Sequence, residues 1–310
     1  MKILRPFAKH FSWGLLIIFL AACGTPAPTP LPASGPPLGG GSGLLLFSST
    51  RSTSNYALYV LDTATMLTTQ LTQDEAAYVP GPFSPDSTKI AYTLFGDIGT
   101  DIYTMNANGT SAVNLTHDEK ATNSFPAWSP DGTQIMFTAY KNENNDLYLM
   151  NADGSNLTQL TTTPGDDWAG VWSPDGSTVA FLSDRDNTPG LYDIYLMNPD
   201  GSNVRRLTSD GSNHYSPAWS PDGTQLAFRG NISNGPGDIF VLRVDGSGLK
   251  NLSNYPTEDW SPTWSPDGTL IAFQTDRDGN WEIYVMNADG SNPVNLSQRQ
   301  ADDQLPFWAP

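Results

Sequence analysis

The sequence predicts an all-β chain folded as a six-bladed β-propeller, and three observations carry that expectation. A Trp-Ser-Pro-Asp-Gly pentapeptide begins at Trp128, Trp172, Trp219 and Trp264, with a looser copy at Phe83 and a short one at Trp308. Successive aromatic anchors (83, 128, 172, 219, 264, 308) lie 44 to 47 residues apart, which is the spacing of propeller blades. Between anchors, each unit holds four β-length runs separated by turn residues, the pattern of an antiparallel meander.

Within a unit the elements follow in order. The first strand ends on the aromatic anchor and turns at Ser-Pro-Asp-Gly. There proline presets the second turn position, serine and aspartate accept backbone hydrogens, and glycine supplies the positive φ. An apolar second strand follows, as in residues 134–137 or 178–181. After a variable loop comes the third strand, in residues 146–150, 193–197, 238–242 and 282–286. A second turn such as Asn151-Ala152-Asp153-Gly154 leads to the fourth strand, which closes on Leu160-Thr161, Leu207-Thr208, Leu252-Ser253 or Leu296-Ser297. Ser87 stands where the other first turns have glycine, so that turn is expected to be strained by about 1 kcal/mol.

The combination of Trp-Ser-Pro-Asp-Gly, then Ser183-Asp184-Arg185-Asp186 or Thr275-Asp276-Arg277-Asp278-Gly279, then Asp/Glu-Ile-Tyr-x-Met-Asn-x-Asp-Gly, resembles the WD40-like (PD40) repeats of the TolB β-propeller family. The resemblance covers residues 44–310 and implies that fold. An activity does not follow from it, because propellers host unrelated functions.

Ahead of the repeats, Lys2, Arg5 and Lys9 precede an apolar stretch, residues 13–20, and then Leu20-Ala21-Ala22-Cys23. Residues 1–22 read as an export signal, too short to be a membrane span. The ending resembles a bacterial lipobox, which implies that Cys23, the single cysteine, is lipidated and anchors the chain to a membrane. Residues 23–43, rich in proline, glycine and serine, read as an extended tether, flexible toward its glycine end. The propeller is expected over residues 44–310. Its first unit begins with a second strand at Leu44, and the missing first strand is supplied by residues 305–309. Three N-terminal strands and one C-terminal strand thus complete a shared blade and remove open sheet edges.

Composition narrows the partners. The chain carries 32 acidic and 15 basic residues, and three of the basic ones lie in the signal. So acidic a chain repels nucleic acid and anionic lipid. Variable loops at the end of the propeller opposite the Ser-Pro-Asp-Gly turns are the expected binding surface. Five residues before each anchor stand Tyr78, Asn123, Asp167, His214, Asp259 and Asp303. Six before stand Ala77, Thr122, Asp166, Asn213, Glu258 and Asp302. If first strands line the channel, these residues ring its mouth with negative charge. Four before the anchors, Trp168, Tyr215 and Trp260 occupy three consecutive blades, and aromatic faces beside carboxylates suit a basic peptide or a carbohydrate. The competing reading is that the rings cap the core between blades. Arg185 and Arg277 are expected to order their loops by exposed ion pairs with a neighbouring aspartate, each worth under about 1 kcal/mol.

The sequence contains no Gly-x-Ser-x-Gly elbow, phosphate-binding loop or His-Glu-x-x-His pair. Outside the signal only His117 and His214 remain. The reading is a lipid-anchored, non-catalytic, monomeric envelope propeller without cofactor, binding an envelope protein, peptide or sugar. The alternative is a metal-dependent carbohydrate lyase or hydrolase built on His117, His214 and the rim carboxylates.

Overall fold

The computed structural model describes residues 38–52, 55–73, 76–96, 99–117, 121–231 and 235–310. The expected export signal, Cys23 and tether residues 24–37 lie outside the described residues. The chain divides into residues 1–31 and 32–310, and the fold is that of the second unit.

Among the described residues 24 strands, β1 to β24, form six four-stranded antiparallel sheets. Blade 1 has the order β24 (Asp303–Trp308), β1 (Leu44–Ser49), β2 (Ala57–Asp62), β3 (Leu67–Gln70). The other blades are continuous. Their inner strands are β4 (Ala77–Phe83), β8 (Thr122–Trp128), β12 (Asp167–Trp172), β16 (His214–Trp219) and β20 (Asp259–Trp264). Each inner strand packs beside the next, and β24 packs beside β4, so the ring is closed. Second strands, and the third strand of blade 4, are buried on both faces, as in β13 (Val179–Ser183) and β14 (Asp193–Met197). This explains why their sequences run apolar instead of alternating. The outermost strands of blades 2 to 6 are two residues long, which leaves little exposed edge to pair with another chain.

The shared blade forms as expected. β1 pairs with β24 through Leu45↔Trp308, Leu46↔Phe307 and Ser49↔Asp303, and Ala309 N donates to Leu44 O at 2.8 Å. The glycine end of the tether differs from expectation, because residues 38–43 are folded onto the turn face of the propeller. Asp267 N donates to Gly39 O at 3.1 Å, Leu38 N to Thr63 Oγ1 at 3.1 Å, and Ser42 N to Pro310 O at 3.2 Å. This stretch stands in for the turn that β24 and β1 would otherwise share. Gly39, at φ 73°, lies so close to Ser265 that any Cβ would overlap the serine side chain.

Ser87 adopts φ 57°, beside 69° to 71° for the glycines of the four strict turns, so the expected strain is present. Its hydroxyl donates to Pro310 O at 3.3 Å, which ties the odd turn to the chain's closure. In each strict turn the serine hydroxyl and the backbone N–H two residues beyond the aspartate both bond to one aspartate oxygen, as with Ser173 (2.6 Å) and Ser177 (3.0 Å) on Asp175. Those bonds hold the Asp175 carboxyl at about 2.

A feature outside the sequence reading is a bulge in every inner strand. Three residues before the anchor, Phe125, Ala169, Ser216, Ser261 and Leu305 take φ of 50° to 56°, and pairing slips at that point. Blade 2 slips between Pro80 and Phe83 instead. The bulge separates the loop-face residues from the anchor and re-aims the strand between them.

Candidate functional site

The residues five before the anchors do not ring the channel mouth with solvated charge. Asp167, Asp259 and Asp303 are fully buried, and each meets an arginine from the loop after the second strand of its own blade. Arg185 Nη2 lies 2.7 Å from Asp167, Arg277 Nη2 3.2 Å from Asp259, and Arg51 Nη2 2.6 Å from Asp303. Each arginine Nε also donates to a serine or threonine at the end of that second strand: Ser183, Thr275 or Ser49. Each guanidinium covers a pair of rings, such as Phe181 and Tyr195 at 5.2 Å. Burial pushes the Asp259 and Asp303 carboxyls up, and the facing arginines oppose it.

Two sequence expectations are corrected together by this arrangement. The rim aspartates are neutralised from within, and the arginine pairs are buried instead of exposed. The physical reason is that a carboxylate cannot be taken out of water unless a cation and hydrogen-bond donors come with it. A signal for the pairing was present in the chain. Arginine four residues after the second-strand aromatic occurs in blades 1, 4 and 6, and those blades alone carry aspartate five before the anchor.

Blade 5 has His214 at that position, also fully buried. Its Nδ1 lies 3.4 Å from Asp193 Oδ1 and its Nε2 3.4 Å from Asp210 Oδ2. Burial pushes the Asp193 carboxyl up, but hydrogen bonds from His214, Asn187, Thr208 and Arg206 outweigh it and hold it at about 2.

Four of the six residues six before the anchors are fasteners between blades. Asp166 accepts from Asn145 N at 2.9 Å, Asn213 from Tyr192 N at 2.8 Å, Glu258 from Gly237 N at 3.1 Å, and Asp302 from Trp281 N at 3.1 Å. In each case the donor belongs to the preceding blade. Among them Glu258 keeps 37% of its side chain exposed, although Arg229 (2.7 Å) and Trp260 Nε1 (3.1 Å) also bond to its Oε2.

The three aromatic residues are brought together as the sequence suggested, and Phe125 extends their row. Phe125–Trp168, Trp168–Tyr215 and Tyr215–Trp260 have ring centroids 5.3, 6.2 and 5.5 Å apart, and all four residues are half-buried. They therefore cap the core and reach the surface at once. A resident cation already lies on the Trp260 ring, since the Arg229 guanidinium is 3.7 Å from its centroid and 5.3 Å from that of Tyr215. Arg229 was not identified from the sequence. Gly237 makes room for it, because a Cβ there would collide with Arg229 Nε.

His117 sits at the seam between blades 2 and 3, and His214 at the seam between blades 4 and 5. Among the described residues no three His, Cys, Asp or Glu side chains are grouped to hold a metal ion.

A family model described as the TolB beta propeller domain, PD40, matches residues 44–229 and 211–310. Among solved structures, TolB from Acinetobacter baumannii is 24% identical, with a TM-score of 0.77 covering 87% of this chain and 68% of that one. A protein described as TolB from Agrobacterium tumefaciens is 23% identical, with a TM-score of 0.68 covering 81% and 88%. An oligogalacturonate lyase in complex with manganese is 18% identical, with a TM-score of 0.58 covering 83% and 74%. These likenesses establish a shared fold. No curated protein matches the sequence.

Proposed function

This chain belongs to the TolB β-propeller family, and from that premise we propose that it is an exported, non-catalytic binding module, anchored through a lipid on Cys23 and facing the periplasm or cell exterior. Its loop face binds an envelope protein, a peptide or a carbohydrate. The observation that carries this reading is the half-buried row Phe125, Trp168, Tyr215 and Trp260, with partly exposed Glu258 beside it. A row of aromatic rings that reaches solvent on a rigid scaffold offers contact area at small entropic cost. Asp166 and Asp302 flank the same face, whereas Asp167, His214, Asp259 and Asp303 support it from inside.

The described chain enters the propeller at Leu38 on the turn face, which leaves the loop face unobstructed by that entry. The high acidic excess disfavours nucleic acid. The module acts as a monomer without cofactor.

The test uses the full-length protein in cells, with a photo-crosslinking amino acid at Glu258 or at Asp153 on the turn face. The reading expects a discrete adduct from position 258, lost in Trp168→Ala/Trp260→Ala, and none from position 153. Equal adducts from both faces, or an adduct indifferent to the tryptophans, would refute it. Anchoring is checked separately, since Cys23→Ser should move the protein from the membrane fraction to the soluble one.

A further inference from the structure

The second turns, which join third and fourth strands, repeat one design in blades 3 to 6. Asp153, Asp200, Asp245 and Asp289 each precede a glycine and accept a bond from the N–H two residues on, at 2.9 Å. In the first three the serine hydroxyl two residues on also donates to the same oxygen, at 2.6 to 2.7 Å. Blade 2 departs from this design by one chemical group. Asn108 stands in place of the aspartate, before Gly109, which takes φ 85° beside 83° to 88° for the four equivalent glycines. Thr110 N and Thr110 Oγ1 both donate to Asn108 Oδ1, at 3.2 and 2.7 Å.

An asparagine followed by glycine is especially open to attack by the main chain on its own side chain, because glycine puts no Cβ beside the attacking nitrogen. Here the side-chain carbonyl is also prepared. The two donors from Thr110 polarise its C=O and are aimed at the oxygen on which negative charge develops when the carbon is attacked. Asn108 and Thr110 are exposed, so water reaches the site. The restraint is Gly109 N, which donates to Asn106 O at 2.9 Å. That bond must open first, and a hairpin tip leading into the two-residue strand β7 (Val113–Asn114) opens locally at small cost.

From this we propose that Asn108 is a self-modification site, at which the turn converts its own amide into the carboxylate of the other blades, with water as the second reactant. Gly109 N bonds to Asn108 Cγ and gives up its proton, while the bond from Cγ to Nδ2 breaks and that nitrogen leaves as ammonia. The five-membered imide so formed joins Gly109 N to both carbonyl carbons of residue 108. Water then adds at Cγ, the bond from Cγ to the ring nitrogen breaks, and the nitrogen takes back a proton as the peptide N–H. An aspartate in an unaltered main chain results. Water adding at the main-chain carbon instead would lengthen the backbone by one methylene. The fold selects against that product, since Gly109 packs so closely on the neighbouring blade that even a Cβ would lie 2.6 Å from Leu71 O. The aspartate, by contrast, meets the two Thr110 donors that already bond to Oδ1. This turn lies on the face opposite the aromatic row, and the proposal stands or falls independently of that row.

The experiment ages the whole protein in mildly alkaline buffer and follows the amide-to-acid change at residue 108 by mass spectrometry of its proteolytic peptides. Normal and lengthened linkages are separated by chromatography against synthetic peptides of both kinds. First-order conversion of Asn108 is expected, with the normal aspartate in excess and a melting temperature that drifts toward that of freshly made Asn108→Asp. Thr110→Val removes the hydroxyl donor and should slow conversion by about two- to tenfold, the worth of one neutral hydrogen bond. Thr110→Ser, which restores the serine of the other blades, should keep the wild-type rate. Asn108 persisting as the amide over the time in which Asn234, which precedes Gly235, converts would overturn the inference. So would an excess of the lengthened linkage, or a rate in folded Thr110→Val equal to that of wild type.

Discussion

Arg51→Ala is the most informative single perturbation, because Arg51 and Asp303 join the two ends of the chain across blade 1. The carboxylate is 0% exposed and the guanidinium 17% exposed, so the pair is buried and solvent screening is slight. Removing the arginine leaves an ionised carboxylate inside the fold, and breaking a buried pair in this way costs about 3–5 kcal/mol. For a domain of this size each kcal/mol shifts the melting temperature by about 2–4 °C, so a fall of about 6–20 °C is expected at pH 7.5. The penalty has a set pH dependence. Burial already raises the Asp303 carboxyl's pKa, and without Arg51 the neutral acid is favoured further. The destabilisation should therefore shrink as pH falls and the acid takes up its proton. Scanning calorimetry of wild type, Arg51→Ala and Asp303→Asn between pH 7.5 and 4.5 makes the measurement. Asp303→Asn should be milder than Arg51→Ala, since it buries no charge and its arginine still reaches solvent. A melting temperature for Arg51→Ala within about 2 °C of wild type, or a penalty that grows toward acid, would refute the reasoning.

Other outcomes are equally definite. Asn108→Asp should raise the melting temperature at neutral pH: at the same turn position Asp153, Asp200, Asp245 and Asp289 are all held below the ordinary carboxyl range by a serine hydroxyl and its N–H, and Thr110 offers Asn108 the same two donors. The first-turn aspartates, with Asp175 at about 2, stabilise the fold above their unfolded pKa and lose that contribution as pH falls through the folded value. Acid unfolding should thus steepen between about pH 4 and pH 2, measured by circular dichroism. Asp259 and Asp303, raised by burial, act in the opposite sense, and their contribution is lost as pH rises through the folded value. Gly237→Ala should displace Arg229 from Trp260 and alter indole fluorescence, with a loss of about 1–3 kcal/mol, whereas a silent spectrum would show that the arginine is not held there.

The blade count and the shared blade were legible because they rest on local signals. Turn chemistry at Ser-Pro-Asp-Gly and an apolar second strand recur with one period, and the missing strand at Leu44 matches the spare one at Trp308. The candidate site was only half legible. Trp168, Tyr215 and Trp260 were placed together correctly, since equal offsets from successive anchors become neighbours in a ring. The depth of Asp167, Asp259 and Asp303 was not legible, because offset fixes position along a strand and says nothing of exposure. Arg229 escaped notice for a different reason: it occurs in one blade alone, and a repeat-based reading sees what recurs. The bulge was hidden because Phe125, Ala169, Ser216, Ser261 and Leu305 share no residue type that announces a positive φ. Residues 38–43 were taken for tether because glycine marks both loose chain and tight turn.

The split blade makes strand β24 a keystone. Blade 1 cannot be completed until residues 303–308 are available to pair with β1, so a chain made from its N-terminus closes its wheel last. Until that moment the partly built arc keeps two raw flanks, and unpaired strand edges of that kind are what make a partly folded chain prone to aggregate.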